Sequence, residues 1–428
     1  MNQLSDVYIV ATSACMPNAP VPNDQMESVL GIVGDTPSRV RNMILRSNGI
    51  RQRHYAIDPV TRQPTHSTAE LAAEAVRALF ADGIDPATVD VLACATSYPD
   101  QIMPGHGVMV HGLLPQLPAC EVISNAGVCV AGMASMRHAY LAIRSGEQRR
   151  AIACAAETAS AVMRREAFLP EIDQKRLADA RPDIAFEKDF LRWMLSDGAG
   201  AVFLSNDPSP VHAPASAQMT GTASSKAAKS STTADTNAGI STGTGKGSGD
   251  TISTTAPALR ICWIELLSYA HEMPVCMYAG AEIGSEGRYA GWKEHDAAHC
   301  EANSVMSVKQ DVKLLNENIV GVTVERALQR VLEKHPLRPE DIDHFLPHYS
   351  SGYFRPKLAE GLERIGFPIP QEKWFTNLAS KGNTGSASIY IMLDEFRRTV
   401  PLKSGQKVLC YIPESGRFSS CFMLLEVV

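Results

Sequence analysis

At 428 residues the chain is long enough for two to three domain-sized units and a large core. Its 45% hydrophobic and 20% charged residues are those of an ordinary globular protein, and a net charge of −6 without blocks of like charge gives no footprint for nucleic acid. The start, Met1-Asn-Gln-Leu-Ser, lacks a basic region followed by an apolar core, and no apolar run is long enough to span a bilayer, so a cytoplasmic protein without membrane insertion is expected.

In chain order, strand and helix signals alternate. Ser67-Thr-Ala-Glu70 is a capping box, followed by an apolar stripe at Leu71, Ala75, Val76, Leu79 and Phe80, with Gly83 as the stop. A buried strand is predicted from Val89 to Thr96, with Pro99 and Pro104 in the loop behind it. A second strand around Glu121–Ser124 runs into Asn125-Ala-Gly-Val-Cys129, and Ala131 to Ile143 reads as a helix. Ala151–Ala155 and Ala199–Leu204 are further buried strands, and the alternation argues for an α/β layered sheet.

Composition then changes sharply. Residues 208–257 consist mainly of Ser, Thr, Ala and Gly, which cannot bury enough surface to offset the entropy of ordering, so a disordered insertion is expected there. It separates an N-terminal half, 1–207, from a C-terminal half, 258–428. In the second half the strand Leu259–Ser268 precedes one long helix, Asn316–Glu333, and a strand ending at Phe345-Leu-Pro-His348. A small-residue run from Ser380 to Ser388 opens the helix Ile389–Phe396, and the strands Lys407–Ile412 and Ser420–Val427 close the chain. Ser124–Met136 and Asn377–Met392 share one plan of strand, small residues and helix, which suggests an internal pseudo-repeat.

Ten cysteines contain no C-x-x-C pair, so a disulfide or zinc framework is not expected and most should be small buried hydrophobes. Cys129 is the one with distinctive surroundings. It stands between a strand and a helix among Gly127, Ala131 and Gly132, where a helix N-terminus favours a thiolate and small neighbours admit a substrate. The same pattern suits a buried cysteine in a tight helix–sheet contact. His348, after Pro347 at a strand end, stands where α/β sheets place their sites, although a loop histidine bonded to backbone reads identically. His344, inside the strand, is the weaker candidate. Asn383, between Gly382 and Gly385, can cap a helix or donate to an enolate oxygen.

Several segments occur in an order that resembles β-ketoacyl-acyl-carrier-protein synthase III and its relatives in the thiolase superfamily. They are Ser47-Asn-Gly-Ile-Arg-Gln-Arg53, Ala95-Thr-Ser-Tyr-Pro-Asp100, Val128-Cys-Val-Ala-Gly132, Ala156-Glu-Thr158, Asp197-Gly-Ala-Gly-Ala201, Asp341-Ile-Asp-His-Phe-Leu-Pro-His348 and Gly382-Asn-Thr-Gly-Ser-Ala387. The resemblance implies a thiolase-like α/β fold: two pseudo-repeated βαβαβαββ halves in a five-layer α-β-α-β-α arrangement.

It also implies that the family's Cys-His-Asn triad falls on Cys129, His348 and Asn383. Backbone N–H groups at Cys129 and near Gly416 would hold an oxyanion, and no cofactor or metal is implied. The partners implied are acyl-carrier-protein or coenzyme A thioesters, in a homodimer. Glu157 resembles the family's acidic residue after a core strand and reads as structural.

The sequence departs from the family at Tyr349-Ser-Ser351, where the synthases usually carry Gln-Ala-Asn. Phe186 to Asp197, Cys276-Met-Tyr-Ala-Gly280, Lys309 to Leu315 and Pro413-Glu-Ser-Gly-Arg-Phe418 resemble the branch found in dialkylresorcinol and related aryl-lipid pathways. The expected activity is condensation of an acyl group on Cys129 with a malonyl or β-ketoacyl thioester. Acyl transfer to oxygen or nitrogen, and a non-catalytic subunit, are the alternatives. Arg149 and Arg150 suggest a patch for an acidic carrier protein, and the apolar runs beside them, Leu141–Ile143 and Ala151–Ala155, are compatible with a dimer contact.

Overall fold

Strands that are apolar on both faces need cover on both sides, and here helices supply it in three layers. The computed structural model describes residues 4–33, 37–38, 41–168, 190–209, 256–284 and 287–428. Nearly all of the segment expected to be disordered lies outside them. Nine strands form one sheet: β1 (Tyr8–Cys15), β2 (Val91–Thr96), β3 (Glu121–Ala126), β4 (Arg150–Glu157), β5 (Gly198–Ser205), β6 (Leu259–Ser268), β7 (His344–Pro347), β8 (Lys407–Glu414) and β9 (Ser419–Val427). Their order is β7-β8-β9-β6-β1-β5-β4-β2-β3.

The pseudo-repeat is visible in that order. Outward from the junction of β1 with β6, the first half runs β1-β5-β4-β2-β3 and the second runs β6-β9-β8-β7. The second half lacks a full fifth strand; in its place Trp374 makes a single parallel bridge to Phe345 beyond β7.

Alternation along each strand sorts the layers. Val91, Ala93 and Ala95 of β2, with Val408, Cys410 and Ile412 of β8, face a middle layer made by α3 (Val130–Arg144) and α7 (Ser388–Thr399). Leu92 and Cys94 face the opposite way, onto α1 (Thr68–Ala81) and α2 (His106–Gly112). Leu409 and Tyr411 turn toward α4 (Val312–Val320), α5 (Ala327–Lys334) and α6 (Phe354–Arg364). The result is the expected thiolase-like five-layer α-β-α-β-α arrangement. The Ser67 cap behaves as read, with both halves of its capping box formed and positive φ at Gly83.

Three expectations are corrected. The helix predicted as continuous from Asn316 to Glu333 is interrupted by a π-helical turn, Gly321–Arg326. Buried Thr323 sits in this turn: its hydroxyl bonds back to the Ile319 carbonyl and meets the Tyr411 hydroxyl at 2.7 Å, and its carbonyl accepts the Ser420 hydroxyl at 2.8 Å. Ala151–Ala155 is wholly buried within the sheet, so it cannot present a dimer contact. The edge available among the described residues is β3, which has no strand on its outer side and carries exposed residues. Finally, Arg150 begins β4 while Glu157 ends it, roughly 23 Å away at ~3.3 Å per residue. The arginine pair therefore lies at the end of the sheet remote from the site described below. So does residue 209, where the described chain breaks after β5, because Ser205 pairs with Arg150.

The two halves approach most closely in the middle layer. A Cβ on Gly132 would lie 2.2 Å from the Ser386 carbonyl oxygen, and the Tyr390 hydroxyl donates to the Gly132 carbonyl at 2.7 Å. Neither atom of the carbonyl can rotate away. Gly132→Ala should therefore destabilise the protein by about 1–3 kcal/mol through overpacking, read as a lower urea midpoint with an unchanged m-value.

Candidate active site

Chain reversals at the carboxyl ends of β2, β3, β4, β7 and β8 converge on one pair of cavities. Cys129, after β3, is the N-cap residue of α3 and is 8% exposed. The smaller cavity, about 40 Å³, is lined by Cys129 and His348 together with Leu315, Ile319, Val324 and Phe354. The larger, about 280 Å³, is lined by Cys129, Glu157 and Asn383 with Leu191, Met194 and Tyr278 among its walls. Cys129, Ser350 and Ser415 border both. The three residues singled out by sequence are thus brought to one place.

Each is held by its own element. The His348 backbone N–H donates to the Tyr411 carbonyl at 2.8 Å, which continues the β7–β8 pairing by one residue. Its imidazole makes no hydrogen bond to the described residues, and burial pushes its pKa down to about 4, so the ring is neutral at physiological pH. Asn383 is clasped by backbone, donating to the Met194 carbonyl at 3.1 Å and accepting from the Ser196 N–H at 2.9 Å. Its amide oxygen accepts the Gly385 N–H at 3.1 Å, which leaves the NH2 group as the donor available to the cavity. His344 stacks edge-on against Phe396 in the core, away from the cavities.

The nucleophile's electrostatics differ from the sequence expectation. A helix N-terminus favours a thiolate, but burial and the nearby Glu414 and Glu157 carboxylates push the Cys129 thiol well above its ordinary value. Glu414 reaches the backbone N–H groups of Val128 and Val130 on either side of Cys129, although burial still leaves its own pKa raised. The resting side chain is a thiol.

Glu157 is 3% exposed, and its Oε1 accepts from the N–H and hydroxyl of both Ser97 and Ser386, at 2.5 to 3.1 Å. Gly416 does not line either cavity; its carbonyl is taken by the N–H groups of Cys276 and Met277, and neighbouring Ser415 forms the wall instead.

Sequence reasoning did not single out Glu414, Ser350 or Ser415. The available signal was an acidic residue set between a strand end and a turn glycine in Pro413-Glu-Ser-Gly416, a position where a solvated loop residue would be more ordinary.

Comparison with known proteins agrees with this geometry. Residues 332–413, which include His348, match the family described as 3-oxoacyl-(acyl-carrier-protein) synthase III, C terminal. The structure superposes on the tetronic acid condensing enzyme AbyA1 with a TM-score of 0.66 and 17% identity, covering 98% of this chain and 99% of that one. The chain carries the synthase III fold. Against 3-oxoacyl-(acyl-carrier-protein) synthase III from Aquifex aeolicus VF5 the TM-score is 0.63 at 18% identity, over 98% and 99% of the two chains. Against OleA from Xanthomonas campestris, solved with lauric acid and lauroyl-CoA, it is 0.64 at 17% identity, over 99% of each. The synthase III resemblance read from sequence motifs is therefore met both by the family match and by the fold.

In this synthase III-like site the raised thiol has a measurable consequence. Alkylation of Cys129 by iodoacetamide, followed by peptide mass spectrometry, should be slow at pH 7 and still rising above pH 9. Glu414→Gln removes one of the two repelling carboxylates and should move the profile to lower pH. A plateau near pH 8.5 in both proteins would contradict the electrostatic account.

Proposed function

We propose that the protein is a β-ketoacyl synthase III-like acyltransferase that joins two thioesters by Claisen-type carbon–carbon bond formation. The observation that carries the reading is the position of Cys129 at the boundary of two largely apolar cavities, one shared with His348 and the other with Asn383.

In the first half-reaction Cys129 Sγ attacks the acyl thioester carbonyl. Neutral His348 accepts the thiol proton and passes it to the departing thiolate, so the acyl chain becomes a new thioester on Cys129. In the second half-reaction the other thioester forms an enolate, by loss of carbon dioxide from a malonyl group or by loss of an acidic α-proton from a β-ketoacyl group to solvent. The His348 ring N–H and the Asn383 amide NH2 donate to the enolate oxygen. The enolate carbon attacks the acyl carbonyl, and Cys129 leaves as a thiolate that regains a proton. Backbone N–H groups at Cys129 and Ser415, the residues that border both cavities, stabilise the tetrahedral oxyanions.

An amide at Asn383, rather than a base, favours condensation over acyl transfer to an alcohol or amine. The substrates are acyl-carrier-protein or coenzyme A thioesters, and the pathway is the fatty-acid-derived or dialkylresorcinol type. The active form is a cytoplasmic homodimer joined along the free edge of β3.

Intact-protein mass spectrometry tests the first step. Incubation with an acyl-CoA should add one acyl mass to Cys129, and Cys129→Ala should add none. Asn383→Ala should still acylate yet lose about 10²–10³-fold in condensation with malonyl- or β-ketoacyl-thioesters, followed by carbon dioxide release and product mass. Acyl transfer to an alcohol without any carbon–carbon product would overturn the reading.

The pH dependence supplies a separate check. Burial disfavours imidazolium, so proton acceptance by His348 persists as pH falls and fails only near pH 4. The acylation rate should accordingly show no limb near pH 6.5. A limb there would mean that His348 titrates as a solvated histidine.

A further inference from the structure

One wall of the larger cavity is built by a segment anchored at its two ends, where Cys276 and Val305 are buried and Met277 and Val308 pack against the core, with little apolar burial between them. Met277, Tyr278, Ala279, Val308 and Gln310 border the cavity, and at the base Met277 pairs with Gln310 and Tyr278 with Lys309. Above this base stand a hairpin, Ala281–Ile283 with Tyr289–Gly291, and the helix Ala297–Ala302. Among the described residues from Met277 to Asn303, none is buried. Its ion pair between Arg288 and Glu294 is exposed, and such pairs contribute about 0–1 kcal/mol. A small unit without a core is ordinarily held by a disulfide or a metal. Cys300, like the other cysteines, is free.

At the junction of hairpin and helix, three ligand-type side chains meet. Glu282 comes from the hairpin, His295 lies just before the N-cap Asp296 and His299 in the first turn of the helix. Asp296 caps that helix by accepting the His299 N–H at 2.8 Å. The two imidazoles stack with centroids 4.3 Å apart and planes within 9°. His299 Nε2 lies 2.6 Å and His295 Nε2 3.5 Å from the same Glu282 oxygen. The three ligand atoms are all within 4.8 Å of one another. His295 Nε2 is buried and has no hydrogen-bond partner, a cost that a cation would remove.

We propose that Glu282, His295 and His299 bind a divalent transition metal, zinc by chemistry, which clips the hairpin to the helix and steadies the cavity wall. Two imidazoles and one carboxylate are a zinc ligand set, whereas magnesium and calcium take oxygen ligands. With zinc bonds of ~2.0–2.2 Å, ligand atoms around a tetrahedral ion stand about 3.4 Å apart, so the ligand atoms are already close enough, and binding would turn the stacked rings until both planes pass through the ion. The fourth position is open to water.

The proposal is independent of the condensation reading, and its test does not use activity. Full-length protein, stripped with a chelator and dialysed, is titrated with zinc by calorimetry and with cobalt(II) by visible spectroscopy. The expected result is one ion per chain, a tetrahedral cobalt spectrum without thiolate charge transfer, and a melting temperature that rises with added zinc. His299→Ala and Glu282→Gln should each weaken binding at least tenfold, while Cys300→Ser should not. A cobalt spectrum with thiolate bands, binding unaffected by the first two substitutions, or absence of stoichiometric binding to the unaltered protein would overturn it. The spectrum of the unaltered protein decides the matter even if a variant fails to fold.

Discussion

A single buried carboxylate ties the site together. Glu157 ends a strand of the first half, and its Oε1 receives two donors from Ser97 in that half and two from Ser386 in the other. Burial favours the protonated acid while these four donors favour the carboxylate, and burial is the larger influence. Either way, removing the oxygen strands several polar groups inside the protein. Gly385, at φ +52°, lets the second half come this close, since its Cβ would lie 3.0 Å from the same oxygen. Asn383 precedes that glycine by two residues. The amide offered to the cavity is therefore positioned by a residue of the opposite half.

That cross-connection explains why the middle layer tolerates no side chain at its tightest points. Gly132 and Gly200 abut Ser386 and Tyr390, where added Cβ atoms would lie 2.2 and 2.5 Å from their neighbours. Moving α7 outward to relieve such contacts would also pull Ser386 from Glu157. Stability and site geometry are thus two consequences of one packing. The small-residue runs around Gly132 and Gly385 serve helix approach first, and the room they leave beside Cys129 follows from it.

What could be read from the sequence follows the range of the interactions. The cap at Ser67, the buried apolar run read as a strand at Val89–Thr96 and the helix read at Ile389–Phe396 are encoded within one or two turns of chain, and they form at Val91–Thr96 and Ser388–Thr399. Cys129, His348 and Asn383 each fit a structural role on local sequence, and it is the order of the motifs around all three that singles them out. The π turn was not, because it depends on Tyr411 and Ser420, about a hundred residues away. The raised thiol was hidden for the same reason: Glu414 is remote in sequence, so the local motif showed only the helix N-terminus. Among its described residues the wall segment from Met277 to Asn303 has none buried, and so it offered no apolar period to read.

These less legible parts are the ones that shape the cavities. Ile319, Val320 and Val324, at and beside the π turn, line the small cavity, whereas Met277 and Tyr278 of the wall segment, with Val308 beyond it, line the large one. The repeated halves place the thiol, the imidazole and the amide, and additions to the repeat set the space on either side of them. A π turn shifts the residues that follow it around the helix axis relative to a regular helix, and Val324, inside this turn, lines the cavity. Chemistry and substrate fit are in this way assigned to different parts of the chain. Changes in the π turn or the wall segment can alter which acyl chain is accommodated without displacing Cys129, His348 or Asn383, whereas a change at Glu157 would disturb the donors themselves.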